Sequence, residues 1–472
     1  MDIVLGKEDA EDWAYRGEGA ANLVLDYKGS DPAYVGKVLR VQKASTHGSC
    51  VNGSSVLTRH ECLLWKDYKD LLVAPTLEIA AQLYVKHVMS PLLGSEHVDP
   101  GVCVHVSREF LECIQENALC QRPALRVDAA TVNVHCHTAL LISDHSVFVQ
   151  GSVKRRPCIC VEIKPKCGFL PYSEFIAEEN SIKKRITRFK MHQEFKLHQE
   201  EISHVSEYDP IDLFSRSKDK IFKAMKSLFH TPQNNFRVFL DGSLVFGGLG
   251  GGTTDTDVLT ASVLEDALQH FIDARDGLRT ERFLKLVADT IFKSMVLDKL
   301  LQVQKLDDMD IEGAIHAYYN VISQPCTICE SLKHMTSHKS SYVHKLPYDE
   351  SLRIVRDHLI SATAKDCSVM LAFRPKGDED GTISYDEVYL DPTKQSFDYK
   401  VSFIDLDMKR LEKMEHYYEL DESIVSWYNQ MISDQKSDPG KATTSCKPRA
   451  NAEETTMIST MQRKTATERL NL

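Results

Sequence analysis

The sequence lacks any run of about eighteen apolar residues, lacks a basic leader at its start and lacks an excess of positive charge. The opening MDIVLGKEDAEDW is acidic, so we expect an intracellular protein of the cytoplasm or nucleus with no membrane association. Lys plus Arg number 57 against 68 for Asp plus Glu, a formal net charge of −11. General binding to nucleic acid is disfavoured, and any polyanion needs a local basic cluster.

Cysteine and glycine are present without the patterns that would define a fold. The 13 cysteines show no disulfide-framework spacing, which predicts reduced thiols. The segment GGLGGGTTDTD at 247–257 is not followed by Lys-Ser or Lys-Thr, so a flexible loop is favoured over a P-loop. No internal repeat is found, which argues against a solenoid or propeller. Nothing in the sequence suggests more than a monomer.

The remaining patterns predict an α+β protein with two lobes and a tail. Residues 1–144 contain strands in WAYRGEGAANLVLDY and VGKVLRVQK, then a helix in PTLEIAAQLYVKHVMSPLLG. Residues 145–432 form a larger lobe with a strand CICVEIK, a helix SIKKRITRFKMHQEFKLHQEE, and late strands CSVMLAF and DYKVSFIDL. Residues 433–472 are rich in Ser, Thr, Lys and Glu, which predicts a disordered tail.

A short glycine segment between the first two strands is a candidate phosphate-binding loop. Gly17, Glu18 and Gly19 occupy a turn in which backbone N–H groups can approach a phosphate. Arg40, or else Lys37, follows on the next strand and supplies a cation. An ordinary hairpin turn is the alternative, because neither the full GxGxxG pattern nor a VAIK lysine is present.

Two aspartates flank the late strands. Asp366 directly precedes one strand and Asp405 lies at the end of the other, so antiparallel pairing would bring both carboxylates to one sheet edge. One carboxylate would then accept the proton of an attacking hydroxyl, and the other would bind Mg²⁺. The alternative is a pair of aspartates that cap turns.

A basic cluster stands out against the acidic average of the chain. Residues 154–196 hold eleven Lys or Arg against five acids. Lys164 and Lys166 flank a proline after a buried-looking strand, which suggests a phosphate site. Lys409, Lys413 and Tyr417 repeat a four-residue spacing near the end of the chain. The alternative is a solvated charged surface.

Cysteine and histidine converge at one place. The Cys326-Thr327-Ile328-Cys329 segment has His316 before it, and His334, His338 and His344 after it. Two Cys and two His predict a closed structural Zn²⁺ site, although spacing alone does not decide which histidines bind. The alternatives are a reduced CxxC turn and a zinc knuckle of a nucleic-acid-binding protein.

In order along the chain, RGEGAANLV, VEIKPKCGFLP, RFKMHQ, TPQNNFRVFLDGSL, TAKDCS and FIDLDMK resemble the inositol-pentakisphosphate 2-kinase family. The resemblance runs from about residue 9 to 430 and is strongest to plant-type members. It implies a two-lobed fold remotely like that of protein kinases. It also implies transfer of the γ-phosphate of ATP to the axial 2-hydroxyl of inositol pentakisphosphate, with Mg²⁺ as cofactor and a structural Zn²⁺.

The resemblance also implies roles for individual residues. Asp366, which would activate the hydroxyl, and Lys164 are the catalytic residues, and Asp405 is the magnesium ligand. The residues that would contact the nucleotide are Gly17, Glu18, Gly19, Arg40, Asp144, His145, Glu162 and Arg237. The residues that would bind the substrate phosphates are Arg126, Lys164, Lys166, Lys196, Asn234, Asn235, Lys409, Lys413 and Tyr417. The zinc ligands are His316, Cys326, Cys329 and His344.

Three residues depart from the family pattern. The family has glycine at Ala20, and arginine at Ser45 and at Lys413. Losing one cation at Ser45 and a bidentate fork at Lys413 predicts weaker substrate binding. Two other functions stay open: an inositol-phosphate kinase of broader position specificity and a non-catalytic inositol-phosphate sensor.

Overall fold

The computed structural model describes residues 4–19, 21–45, 56–148, 157–248, 258–331, 342–376 and 385–437. Its strands are β1 (Val4–Leu5), β2 (Trp13–Glu18), β3 (Asn22–Tyr27), β4 (Lys37–Ser45), β5 (Val102–Val106), β6 (Ala130–Val132), β7 (Thr138–Ser143), β8 (Ile159–Ile163), β9 (Phe236–Leu240), β10 (Ser243–Phe246), β11 (Ser368–Pro375), β12 (Asp386–Leu390) and β13 (Gln395–Ile404).

The α-helices are α1 (Arg59–Leu64), α2 (Lys69–Leu72), α3 (Leu77–Tyr84), α4 (Ser90–Leu93), α5 (Arg108–Leu119), α6 (Ala124–Ala129), α7 (Arg188–His198), α8 (Pro210–Leu213), α9 (Lys218–His230), α10 (Val258–Ala267), α11 (Arg279–Ser294), α12 (Val296–Gln304), α13 (Asp310–Ile322), α14 (Thr327–Ser331), α15 (Tyr348–Asp366) and α16 (Met414–Ser437). Short 3-10 helices span Lys7–Asp12, Glu178–Lys184, Leu268–His270, Asp391–Thr393 and Leu411–Lys413, and Val85–Met89 is a π-helical turn. The mixture confirms the predicted α+β class.

The chain divides into two compact units. The first comprises Met1–Gly53, Val102–Ile142 and Trp427–Leu472, and the second comprises Ser54–Gly101 and Ser143–Ser426. This division differs from a single break at 144, because residues 54–101 join the second unit. Trp65 and Tyr84 of that segment are fully buried in the hydrophobic core of the second unit.

A twisted sheet forms the framework of the first unit. Its strand order is β1-β5-β7-β4-β3-β2, with β6 paired to β4. Strands β2, β3 and β4 form the predicted antiparallel meander around the glycine segment. Alternate residues such as Leu23, Leu25, Leu39 and Val41 are buried, which is the period-two pattern of a sheet with one covered face.

A second sheet, with strand order β10-β9-β8-β11-β13-β12, lies in the larger unit. All five residues of β8 are buried, as the apolar run CICVEIK predicts. Helices α11, α13 and α15 contribute to the same hydrophobic core. Strand β11 pairs antiparallel with both β8 and β13, and Ser368 is opposite Ile404. The start of β11 therefore lies beside the end of β13, which confirms the predicted meeting of the segments at Asp366 and Asp405.

Two predicted elements need correction. The single helix expected over 181–201 is a 3-10 helix followed by α7, because the Thr187 hydroxyl accepts the Lys190 N–H and starts a new helix. Residues 433–437, which were expected to belong to the tail, are the last residues of α16. The rest of the tail and most of the glycine-rich loop lie outside the described residues. Within the described part of the chain, no helix is long and apolar enough to cross a membrane.

Candidate functional site

The glycine segment of the first unit is held by a buried ion-pair cluster. Gly17 and Glu18 end β2, and the Gly19 N–H donates to the Asn22 carbonyl at 2.9 Å. The Glu18 carboxylate accepts two hydrogen bonds from Arg122, at 2.8 and 2.9 Å, and one from Lys43 at 2.5 Å. Burial opposes its ionisation, but these cations keep the Glu18 pKa below its ordinary value. The Glu18 side chain therefore stabilises the loop rather than facing a ligand as a free carboxylate.

Arg122 also connects the glycine segment to the helix that carries Arg126. Its guanidinium donates to the Arg126 and Ala130 carbonyls at 3.1 and 2.8 Å. Arg126 lies in α6, and Arg40 lies on β4 opposite Val24 of β3. Sequence reasoning missed Arg122, because its partner Glu18 is 104 residues away. Ala20 and the side chain of Ser45 lie outside the described residues.

The other predicted nucleotide residues belong to the second unit. Asp144 is buried, and its carboxylate accepts the N–H and the hydroxyl of Ser146 at 2.9 and 2.7 Å, which fixes the turn that contains His145. Glu162 on β8 faces Arg237 on β9, with 3.1 Å between Oε2 and Nη1.

Lysines surround Asp366 at the end of α15. Lys409 Nζ donates to Asp366 Oδ2 at 2.9 Å, and Lys166 Nζ lies 3.7 Å from Oδ1. Burial favours the neutral acid, but Lys409 and Lys166 outweigh it and lower the pKa of Asp366. The carboxylate is thus ionised at neutral pH, which is the state a general base needs.

Lys164 and Asp405 form a second pair beside the first. Lys164 Nζ donates to Asp405 Oδ2 at 2.9 Å, and Ser368 Oγ lies 3.4 Å from the same oxygen. Burial lowers the Lys164 pKa, but Asp405 and Glu162 raise it well above its ordinary value. Asp405 adopts a positive φ of 59°, and its side chain is 42% exposed. A carboxylate held open to solvent is the donor type that Mg²⁺ prefers.

Lys166 lies where several positive charges converge. Burial lowers its pKa to about 8; Asp366 opposes this shift, and Lys164, Lys196 and Lys409 add to it. Burial and the neighbouring Arg188, Lys196 and Lys166 also lower the pKa of His192 to about 2, so this imidazole is neutral. Such a concentration of like charge is unfavourable in a free protein and becomes favourable when a polyanion binds.

Asn235 adds a polar group next to these lysines. Its carbonyl accepts the Lys164 N–H at 2.9 Å, and its side chain is buried. The side-chain Oδ1 has no hydrogen-bond partner among the described residues. Asn234 directly precedes Asn235.

The remaining substrate candidates lie nearby in the chain but differ in setting. Tyr417 lies in the first turn of α16, and burial raises its pKa. Lys413 ends the 3-10 helix before α16, while Lys196 of α7 lies 3.6 Å from Glu201. The charges around Tyr417 are Lys409 and Asp366, which places it with the Asp366 group.

Glu61 is a functional neighbour that sequence reasoning missed. Its buried carboxylate accepts two hydrogen bonds from Arg410, at 2.8 and 3.1 Å, and so anchors the segment that begins at Lys409. The sequence shows Glu61 as the third helical residue of a capping box with Thr58. That signal predicts the cap but not a partner 349 residues away.

The predicted zinc residues form one cluster. The donor atoms of His316, Cys326, Cys329 and His344 all lie within 4.8 Å of one another. Cys326 Sγ is 3.4 Å from His316 Nδ1, and Cys329 Sγ is 3.3 Å from His344 Nε2. Zinc bond lengths of roughly 2.0–2.3 Å imply tetrahedral edges of about 3.3–3.8 Å, so the set fits Zn²⁺. His334 and His338 lie outside the described residues.

Burial and a neighbouring amide set the protonation and the orientation of the two histidines. Burial lowers the pKa of His316 to about 4, so the imidazole is neutral at neutral pH and one of its two ring nitrogens carries no proton. His344 Nδ1 lies 3.2 Å from Asn320 Oδ1, a contact that turns Nε2 towards Cys329.

The two sheets, the paired lysines and aspartates, and the Cys/His cluster describe a phosphate-handling α+β protein. A family profile described as inositol-pentakisphosphate 2-kinase matches residues 15–423. The chain belongs to this family, as the sequence motifs predicted, and it is a plant-type member. It is 53% identical over 433 residues to an Arabidopsis thaliana protein named inositol-pentakisphosphate 2-kinase, covering 91% of this chain and 96% of that one.

Two further relatives are also named as inositol-pentakisphosphate 2-kinases. A rice protein, Oryza sativa subsp. indica, is 51% identical over 453 residues, covering 95% of this chain and 100% of the relative. A zebrafish protein, Danio rerio, is 29% identical over 492 residues, covering 90% and 94%. The plant relatives are thus far more similar than the animal one.

Proposed function

We propose that this chain transfers the γ-phosphate of ATP to the axial 2-hydroxyl of inositol 1,3,4,5,6-pentakisphosphate, giving inositol hexakisphosphate (phytate). Family membership supports the reaction class. The observation that carries the assignment is the pair of carboxylates, Asp366 and Asp405, each bonded to a lysine at one end of the second sheet. A sensor without catalysis needs the cations but has no use for a solvent-accessible pair of carboxylates.

Asp366 is the proposed general base. Its lowered pKa keeps it ionised at neutral pH, and it accepts the proton of the 2-hydroxyl as the new bond to phosphorus forms. Lys166 and Lys409 hold the carboxylate in place and neutralise charge on the incoming phosphates. Phosphoryl transfer depends mainly on positioning and charge neutralisation, which these residues supply.

Lys164 and Asp405 are assigned to the transferring phosphate. Lys164 keeps its charge because Asp405 and Glu162 lie close to it. Asp405 would hold Mg²⁺, which when bound neutralises the nucleotide phosphates and orients them. Glu162, Arg237, Asp144 and His145 are the proposed nucleotide residues of this unit.

The substrate phosphates fall to the cationic group. Its proposed cations are Lys164, Lys166, Lys196, Lys409 and Lys413. Tyr417, Asn234 and Asn235 are the proposed uncharged members of the same site. Each charge-assisted hydrogen bond contributes about 1.5–3 kcal/mol, so several must act together to bind a pentakisphosphate. In the first unit, Arg126 is the proposed phosphate ligand, and Arg40 with the Gly17–Gly19 backbone the proposed nucleotide site. We propose that the two units are the two lobes of a kinase-like fold.

The Cys/His cluster is the proposed structural zinc site, since four protein ligands leave no open position for chemistry. Zinc binding contributes to folding, so Cys329→Ser should lose bound zinc and lower the melting temperature. Zinc content by atomic absorption and Tm would be measured together. An unchanged Tm in zinc-free protein would contradict the structural role.

We further propose a monomeric intracellular protein that binds no nucleic acid.

The function is tested by ³¹P NMR of the purified full chain with Mg-ATP and inositol 1,3,4,5,6-pentakisphosphate. The expected product is inositol hexakisphosphate, with ADP in equal amount. Other pentakisphosphate isomers serve as controls, and their turnover at similar kcat/KM would indicate a kinase of broader position specificity. Tight binding of the substrate by calorimetry without turnover would instead indicate a sensor.

A further inference from the structure

One buried amide joins the two segments that carry Lys166 and Asp366. Gln304 is the last residue of α12 and has no exposed surface. Its Nε2 donates to the Lys166 carbonyl at 2.9 Å and to the Ala364 carbonyl at 3.1 Å. Its Oε1 accepts the Gly168 N–H at 2.9 Å. Only this orientation of the amide satisfies two carbonyls and one N–H together, so the assignment of its oxygen and nitrogen is fixed by its partners.

The first of these segments has a conformation that needs support. Lys166 has a φ of 60°, which a non-glycine residue keeps only where its surroundings hold it. The Tyr208 hydroxyl also donates to the Pro165 carbonyl, at 2.8 Å. A Cβ on Gly168 would lie 2.4 Å from the Phe214 ring, so the segment is tightly packed on that side. Gln304 binds the segment on both sides of Cys167.

The second segment is the last turn of α15. Ala364, whose carbonyl Gln304 binds, lies two residues before Asp366. The Ser361 hydroxyl donates to the main-chain carbonyl of Gln304 at 2.5 Å, so backbone and side chain of Gln304 both bind this helix. Lys166 Nζ, on the first segment, lies 3.7 Å from Asp366 Oδ1, at the end of the second segment.

We propose that Gln304 is a positioning residue of the phosphoryl-transfer site: its buried amide fixes the Lys166 segment against the end of α15 and so sets the Lys166–Asp366 geometry. The inference deepens the proposed function and rests on it. Gln304 itself contacts no reactant. Misplacement of reacting groups by about 1 Å can cost about 100-fold in rate, so a residue behind the site can control turnover.

The primary test is Gln304→Leu, which keeps the size of the side chain and removes all three hydrogen bonds. We expect kcat to fall about 10- to 100-fold and KM for the pentakisphosphate to rise, with KM for ATP changed by less than about twofold. The matched control is Asp398→Asn, which weakens another buried contact, the Arg374–Asp398 pair at the far end of β11 and β13. It should lower Tm with kcat and both KM values within about twofold of wild type at temperatures where it is folded.

Gln304→Glu separates positioning from packing through a pH profile. The carboxylate would face two carbonyls without a proton to donate, whereas the protonated acid can donate to one of them. Activity relative to wild type should therefore recover as the pH falls from about 8 to about 6. A constant ratio over this range would contradict the proposal. Should Gln304→Leu fail to fold, Gln304→Glu and Gln304→Asn take its place in the kinetic comparison.

A double-mutant cycle identifies the residue through which Gln304 acts. If Gln304 holds Lys166, then Gln304→Leu should change KM for the pentakisphosphate by less than about twofold in a Lys166→Met background. Additive effects on KM would overturn the inference.

Hydrogen exchange distinguishes failure of this inference from failure of the proposed function. Gln304→Leu should speed exchange at the Gly168 amide and leave α11 unchanged, whatever the substrate proves to be. No turnover of the pentakisphosphate by wild type would overturn the function alone. Unchanged exchange at Gly168, or unchanged kcat in Gln304→Leu, would overturn the positioning role alone.

Discussion

Two clusters of lysine and carboxylate in the second unit use the same residue types in opposite proportions. Lys183 is 4% exposed and contacts three carboxylates: Asp310 at 2.5 Å, Glu312 at 3.0 Å and Asp421 at 2.7 Å. Around Asp366 and Asp405, the lysines outnumber the carboxylates: Lys164, Lys166, Lys196 and Lys409 share the electrostatic environment.

The difference distinguishes a structural cluster, around Lys183, from the proposed binding cluster, around Asp366 and Asp405. Burial opposes the charge on Lys183, but its three carboxylates raise its pKa far above the ordinary value. Lys166, among like charges, has its pKa lowered instead. In the Lys183 cluster each carboxylate contacts a cation of the protein itself, so the network stabilises the fold. Around Asp366 and Asp405 cations are in excess, and the proposed substrate would supply the missing negative charge.

The largest effect should come from removing the proposed base from the proposed binding cluster. Asp366→Asn should lower kcat by about 10²- to 10⁴-fold, because the amide cannot accept the hydroxyl proton and Asp405 is assigned to Mg²⁺. Pentakisphosphate binding should be retained, since the substitution removes negative charge among cations. Steady-state kinetics and calorimetry measure the two quantities.

Asp310→Asn is the matched control from the structural cluster. Burial, together with Asp421 and Asp307, raises the Asp310 pKa against the effect of Lys183, so its charge is already disfavoured. This variant should keep wild-type kcat. A large loss of kcat in Asp310→Asn, or wild-type kcat in Asp366→Asn, would contradict the proposed difference between the two clusters.

Breaking the structural cluster should cost stability rather than chemistry. Lys183→Met leaves three carboxylates without their shared partner, and we expect a loss of about 3–5 kcal/mol in the free energy of unfolding. Urea denaturation measures this loss, and kcat at low temperature should stay near wild type. Lys164→Met is the counterpart, with a large loss of activity and a small change in stability. Equal stability losses in the two variants would contradict the distinction.

A smaller effect should appear in the pH dependence of substrate binding. The Lys166 pKa is about 8, so the charged fraction of this lysine in the free enzyme falls as pH rises through that value. KM for the pentakisphosphate should therefore rise between about pH 7 and 9, by roughly tenfold at most. Lys166→Arg stays charged and should flatten this rise. A rise of equal size in the arginine variant would assign the titration to another group.

The smallest effect should follow from Lys413→Arg, which leaves the charge unchanged. A guanidinium fork binds a phosphate in bidentate fashion, so KM for the pentakisphosphate should fall by about two- to fivefold. Lys413→Gln, which loses the charge, should raise it. No difference between lysine and arginine would show that Lys413 acts only through its charge.

Much of the candidate site was predictable from short sequence motifs and from the expected pairing of strands. The motif EIKPKCGFLP indicated the family, and the placement of Asp366 and Asp405 at strand ends predicted their meeting once antiparallel pairing was assumed. The four zinc residues followed from the family pattern, since spacing alone left the histidines undecided. The residue roles themselves stay predictions.

The supporting residues could not be predicted, because their partners are distant in sequence. Gln304 lies 138 residues from Lys166, and Glu61 lies 349 residues from Arg410. An isolated Gln or Glu in a helical pattern indicates nothing about such a contact. The break before α7 was missed for a different reason: the apolar spacing suggested one helix, while the Thr187 cap starts a second one.

The strand order of the second sheet has a consequence for how the protein acquires activity. Lys164, Asp366 and Asp405 follow or precede the neighbouring strands β8, β11 and β13, which span residues 159–404. A chain still on the ribosome therefore lacks one of the two proposed catalytic-site carboxylates until β13 and Asp405 have emerged. Pairings across such separations form slowly. In refolding experiments, the far-UV circular dichroism of the helices should return before turnover does.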